Sequence, residues 1–396
     1  MTMAAKTLPR LMSFQDRILF ASYMRHVVIV LVMLTTIAVA LDTASWINRV
    51  GAGAAASGNS PALAILKFLA LRTFDNGTQT LPIAAILGFI WTEVAYHQSG
   101  HRLIDRITGR TEWRAMRAIF LAGLAVAVVQ TVLDNVVRPQ AVRTMITERI
   151  AYWSRYTEFR PNSTVWISAG GSILEGRAGD IGTSELRDVT YYDFDGNRIS
   201  RIVRAPVLRS LPKPGTGGVR DWQFETPSVF LLSTAAAGAQ SGAMVSSEEL
   251  AELTVPLKLD PEWLPLASIR PIYLSLSDLA SMARIDNLPD GSANYGSALL
   301  GRLTNGLIVG LLCVFIALFC RRRLDHGSLE AAVMFALAIG YGGVLAMRML
   351  RVIGEHASFG PLAVGVVMPL FLTVAIVLNV RWNTRHDAVH RLHGGP

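Results

Sequence analysis

Long apolar runs separated by short arginine-rich connectors occupy both ends of the chain, and the middle follows a different rule. Val27 to Ala44 is apolar over a length that reaches across a bilayer, and Trp46 stands at its far end. A second region, Pro61 to Ala95, is interrupted by the polar patch Arg72-Thr73-Phe74-Asp75-Asn76-Gly77 before apolar character resumes at Leu81. The resumed part is barely span-length, so the helix is expected to begin earlier, with Gly77 and Pro82 causing a kink. Ala115 to Val137 reads as a third span, then Ser297 to Cys320, Leu329 to Ala346 and Pro361 to Val380 as a fourth, fifth and sixth.

Between Pro139 and Leu274 no run is long enough to span, and short alternating segments separated by turn residues predict strands. Thr164–Ser168, Asp188–Phe194, Arg198–Arg204, Asp221–Phe224 and Leu253–Leu257 are such segments. Asp195-Gly196-Asn197 between two of them predicts a hairpin. The Ala/Gly/Ser-rich stretch Ser233 to Ser247 reads as a loop, and Ser275 or Ser277 as the cap of a short helix before the fourth span. The expected organisation is residues 1–138 with three spans, 139–274 as a mainly antiparallel β domain, and 275–396 with the short helix and three more spans.

Composition agrees with a membrane class: of 396 residues, 51% are hydrophobic and 17% charged, and the mean hydropathy is +0.38. The net charge of +8 changes the picture through its placement. Lys6, Arg10, Arg17 and Arg25 precede the first run, and Arg102, Arg106, Arg110 and Arg114 fill the 97–114 loop. Arg321-Arg322-Arg323 follow the fourth span, and Arg381, Arg385 and Arg391 lie in the tail. All four segments fall on one side only with three spans on each side of the β insert, and the positive-inside rule makes that side the cytoplasm. The β insert is then expected outside. No basic arm or aromatic-studded basic face is present, which argues against nucleic acid.

No catalytic set is legible. The chain lacks a P-loop and an HExxH motif, and its 8 histidines are scattered. Asp193-Phe194-Asp195-Gly196-Asn197 lacks the spacing and the glutamate of a calcium loop and reads as the hairpin turn. Cys313 and Cys320 share one apolar run too far apart to bridge. No cofactor or metal is expected.

Two features carry candidate function. In the 97–114 loop, Leu103, Ile104 and Ile107 precede Gly109 in the pattern of a short amphipathic helix. Such a helix suits either docking of a partner protein or a seat on anionic headgroups. Ionisable residues in or beside spans are the second feature: Asp42, Arg49, Glu93, Arg302, Arg348 and Arg351. Arg348 and Arg351 stand at the outer end of the fifth span, where the positive-inside rule disfavours them. A guanidinium fork fits phosphate. The alternatives are snorkelling to the interface or pairing with Asp42 and Glu355.

The chain resembles the LptF/LptG (YjgP/YjgQ) permease family of lipopolysaccharide export. The resemblance rests on Leu19-Phe20-Ala21-Ser22-Tyr23-Met24-Arg25 before the first span and Val165-Trp166-Ile167. The run Asp188 to Arg198, Leu274-Ser275-Leu276-Ser277-Asp278-Leu279 before the fourth span, and the arginine triplet after it add to it. One departure is that His101 stands where the family's loop has an acidic residue.

The resemblance implies a jellyroll-like periplasmic domain and an inner-membrane location. It implies a non-catalytic permease subunit in a heterodimer with a paralogous permease. A cytoplasmic LptB-type ATPase dimer would dock on His101, Arg102, Leu103, Ile104, Arg106, Ile107 and Gly109. Spans one and five would line a shared cavity for lipopolysaccharide, with Arg49, Arg348 and Arg351 as candidate phosphate contacts. The lipid would pass to a jellyroll bridge protein of the LptC/LptA type. Competing expectations are another ABC-type exporter permease, or a membrane-anchored periplasmic scaffold or sensor. Copurification with a soluble ATPase separates transport from scaffold.

Overall fold

The computed structural model describes residues 13–56, 58–107, 112–148, 150, 164–169, 171–178, 185–196, 198–211, 220–233, 244–257, 259, 261, 264, 271–284, 292–355 and 361–393. These divide into two compact units, one of residues 1–142 with 297–396 and one of residues 143–296.

The first unit is helical. α1 (Phe14–Ala56) runs 43 residues, about 65 Å at 1.5 Å per residue and roughly twice the hydrocarbon thickness. The helix therefore extends well past the apolar run at both ends. α2 (Pro61–Gln98) is one continuous helix of 38 residues. The patch Arg72–Gly77, which reads as an interruption in the sequence, is helical throughout because its charges find partners on neighbouring helices. Pro82 lies inside α2 and cannot bond the carbonyl of Thr78. That carbonyl accepts instead from Gln130 Nε2 at 3.3 Å.

α3 (His101–Ile107) leads to α4 (Glu112–Val132), which widens into a π turn at Leu133–Val137 before α5 (Arg138–Thr147). The helical unit resumes with α7 (Ser292–His326), α8 (Leu329–Glu355) and α9 (Pro361–His393).

Four stretches among the described residues are long and apolar enough to cross a bilayer: Phe14–Ala56, Met116–Met145, Tyr295–Asp325 and Leu329–Leu350. Gly365–Arg381 is a shorter apolar helix. α2 falls outside that group of four, and its lower half carries Lys67, Arg72 and Asp75.

Burial differs sharply among these helices. Two-thirds (67%) of the apolar window in Tyr295–Asp325 is buried, against 28% for Phe14–Ala56 and 22% for Leu329–Leu350. α7 is the centre of the bundle. It meets α4 through glycines: a Cβ built on Gly310 would stand 2.5 Å from the Gly123 carbonyl oxygen and 2.8 Å from Ala127 Cβ. A Cβ on Gly306 would collide with Thr131 and the Ala127 carbonyl. This is the close backbone approach that small residues four apart permit in membranes.

The second unit is built on an all-antiparallel sheet of eight strands: β1 (Thr164–Ala169), β2 (Ser172–Ala178), β3 (Glu185–Asp195), β4 (Arg198–Ser210), β5 (Arg220–Glu225), β6 (Ser228–Ser233), β7 (Met244–Glu249) and β8 (Glu252–Leu257). The β3–β4 hairpin turns at Gly196, whose φ of +61° suits glycine, with Asp195 opposite Arg198. β4 is 13 residues long and forks. Its first half (Arg201–Arg204) pairs with β6, and its second half (Val207–Ser210) pairs with β5. β7 continues from β6 and β8 from β5.

One face of the sheet is packed by Leu174, Leu186, Val203, Leu208, Trp222 and Phe224, with the Trp222 indole donating to the Leu259 carbonyl at 3.2 Å. On the other face Trp166 stacks on Tyr192 at 6.1 Å. Burial, then the Glu175 carboxylate, raise the Tyr192 phenol above its ordinary range, so it stays protonated and donates to Glu175 at 3.3 Å.

The stretch expected as a loop ends in a strand: β7 begins at Met244, pairing with Ser233 of β6. β2 and β6 add to the strands expected from the sequence. In α6 (Leu276–Met282) Ser275 is the cap, and it forms a reciprocal pair with Asp278.

Candidate functional site

A run of seven residues is too short to hold a helix alone, so α3 needs anchors. Gly100, at φ +71°, turns the chain out of α2, and the amides of Leu103 and Ile104 bond back to its carbonyl. Arg102 is the anchor. It is 8% exposed and donates to Glu93 of α2, to Asp325 Oδ1 of α7 at 3.2 Å and to the Arg321 carbonyl at 2.9 Å. The second oxygen of Glu93 accepts from the hydroxyl of Tyr23 on α1, a fully buried side chain. One carboxylate thus gathers α1, α2 and α3, and one guanidinium extends the node to α7. A guanidinium with several donors in a fixed fork is the side chain that can do this.

Anchoring by Arg102 leaves the apolar side chains of α3 outward. Leu103 is 63% exposed, Ile104 51% and Ile107 77%. Leu103 and Ile107 are one turn apart on the same face. His101 packs its ring 5.4 Å from that of Tyr96. Gly109 and the Arg106 side chain lie outside the described residues. Arg102 is buried in the node, so among the docking candidates it positions α3 and does not face outward.

A second cluster lies deeper in the bundle. Arg72 bonds Asp42 of α1 and, at 2.7 Å, Asp75 one turn along its own helix. Asp75, 1% exposed, also accepts from Arg138 Nε of α5 at 2.9 Å and Gln79 at 3.1 Å. On the π turn, Asp134 accepts from Gln130 at 2.8 Å and from Asn305 of α7. Its backbone carbonyl, freed by the widened turn, accepts from Arg302 at 2.6 Å. Among the described residues this cluster sets Asp42, Asp75 and Asp134 against Arg72, Arg138 and Arg302. This assignment of Asp42 to Arg72 differs from the pairing with Arg348 or Arg351 weighed from the sequence.

The three candidate phosphate contacts are not brought together by any described interaction. Arg49 is exposed and lies over the Trp46 ring at 4.8 Å, Arg348 is exposed on α8, and the Arg351 side chain is outside the described set. No group of three or more His, Cys, Asp or Glu able to hold a metal occurs among the described residues.

Glu93 and Arg302 stand out in the sequence as ionisable residues in spans, whereas nothing local marks Tyr23, Asp75, Asp134, Arg138 and Asp325 as members of these buried networks. The signal available was the number of charges in apolar surroundings, which must pair or face a cavity.

The family description "Lipopolysaccharide export system permease LptF/LptG" matches residues 17–383. The chain belongs to the LptF/LptG family. No individual curated protein gives a match. LptF/LptG proteins are permease subunits of lipopolysaccharide export and not catalytic ones, and apolar helices with a separate antiparallel sheet are what this member presents.

Proposed function

We propose that this LptF/LptG member is one of two paralogous six-span permease subunits of an ATP-driven inner-membrane transporter that extracts lipopolysaccharide. The observation that carries the reading is the family match over residues 17–383. The geometry supports it in three places. α3 offers Leu103 and Ile107 outward while Arg102 and Glu93 tie it to α1, α2 and α7. An ATPase dimer of the LptB type seated on α3 would therefore move four helices as one.

Of the four long apolar stretches among the described residues, those in α1 and α8, the first and fifth spans, are the least buried, as expected of helices facing a paralogous subunit and the lipid between them. Arg49, Arg348 and Arg351 near their outer ends would meet the lipid phosphates. The β domain, residues 139–274, would be periplasmic and jellyroll-like, and one open edge of its sheet would accept a strand of an LptC/LptA-type bridge protein.

The test is copurification. The double variant Leu103→Glu, Ile107→Glu should reduce capture of the ATPase at least tenfold, because both side chains lose apolar burial and gain charge. Membrane insertion should be unchanged. Full capture by the variant would remove α3 from the docking site.

A further inference from the structure

A cavity of about 590 Å³ opens between α1, α2 and α3. On α1 its walls come from residues 15–26, just before the apolar run, and on α2 from residues 95–99, just after the second apolar run. The cavity therefore sits at the polar–apolar boundary on the arginine-rich side of the bundle. Arg25, His26 and His101 line it, with hydroxyls from Ser22 and Ser99, and no carboxylate does among the described residues. Two nearby described acids are engaged elsewhere: Asp16 with Ser13, Glu93 with Arg102. His26 is held in place, its Nδ1 2.9 Å from Thr92 Oγ1 and its ring stacked 4.9 Å from Trp91. Apolar side chains from both walls, Ile18 and Ile104, complete the lining.

α3 thus presents two faces. Leu103 and Ile107 form the outward ridge, whereas His101 and Ile104, three apart, form a wall of the cavity.

We infer that this cavity binds the phosphate-bearing headgroup of an anionic phospholipid of the cytoplasmic leaflet, with Arg25 and His101 on the phosphate and Ile18 and Ile104 against the upper acyl chains. A concavity whose described lining holds Arg25, two histidines and two hydroxyls, with apolar walls at headgroup depth, complements that ligand in both charge and polarity. Lipopolysaccharide carries phosphate too, but in the opposite leaflet under the orientation proposed above. The bound lipid would brace α3 against α1, so leaflet composition would set how firmly the docking helix is held. This inference rests on the proposed orientation only for which leaflet supplies the lipid.

Native mass spectrometry of the purified full-length chain tests it, with dioleoylphosphatidylglycerol and dioleoylphosphatidylcholine as probes. The wild type should retain phosphatidylglycerol over phosphatidylcholine. Arg25→Gln with His101→Gln should weaken that retention roughly tenfold. Ala21→Trp, which fills the cavity without removing charge, should weaken it as well, and Leu103→Glu with Ile107→Glu should not. Equal retention by the Gln double variant and by Ala21→Trp overturns the site. Displacement by millimolar inorganic phosphate alone overturns the lipid assignment in favour of a phosphate-ion site. Loss of ATPase capture by Ala21→Trp with phosphatidylglycerol retention intact makes the cavity a protein seat and also overturns it. Labelling of Gln240→Cys from the cytosolic side would reverse the orientation while leaving these binding outcomes readable.

Discussion

Asp75→Ala is expected to destabilise the helical unit by about 3–5 kcal/mol, the cost of removing one partner from a buried ionic group. The carboxylate is 1% exposed, and its two oxygens hold Arg72 at 2.7 Å and Arg138 at 2.9 Å. Its loss leaves two buried guanidiniums facing each other across an empty position, with Asp42 the nearest remaining counter-charge on Arg72. Asp75→Leu combined with Arg138→Met removes a charge of each sign together and should be the milder change, because paired removal strands no ion. Thermal unfolding in detergent distinguishes the two. A single variant as stable as wild type would show that the network is not holding α1, α2 and α5 together.

Gly310→Leu should prevent α4 and α7 from closing. Even the first carbon of a side chain there meets the Gly123 carbonyl oxygen at 2.5 Å, and backbone cannot step aside as a flexible side-chain tip can. Gly310→Ala is expected to cost ~1–3 kcal/mol as an overpacked contact. The leucine, adding three further carbons at the most buried helix of the bundle, should leave no monodisperse protein after extraction. The readout is size-exclusion elution with thermal stability of whatever survives. Normal elution of Gly310→Leu would mean that the two helices do not cross at these glycines.

The elements were legible in the sequence where one period dominated. The apolar runs that became α1, α4, α7 and α8 are examples, as are the alternation around Asp195-Gly196 and the apolar positions of α3. Arg72 to Gly77 misled because charges within an apolar run look the same whether they end a helix or face partners inside a bundle. Asp42 is 30 positions from its partner Arg72 and Arg138 is 63 from its partner Asp75, and no local pattern connects them. β7 was hidden by composition: the Ala/Gly/Ser-rich stretch before it continues into Ser246 and Ser247, and only its register against β6 makes it a strand. The exposed apolar positions of α3 followed from periodicity, whereas the Glu93–Arg102–Tyr23 node did not, since tertiary packing chooses which acid a buried arginine meets.

The forked strand β4 has a consequence for growth of the sheet. An unbranched open sheet has two margins, and a branched one has three, here β1, β7 and β8 among the described strands. Two are blunt. β7 ends in Glu248 and Glu249, and β8 carries Pro256, which has no N–H to offer. The margin at β1, Thr-Val-Trp-Ile-Ser-Ala, carries neither charge nor proline. Were a foreign strand to extend the sheet, these described margins would favour β1, giving the domain a sense of direction that an unbranched sheet with two equal margins would lack.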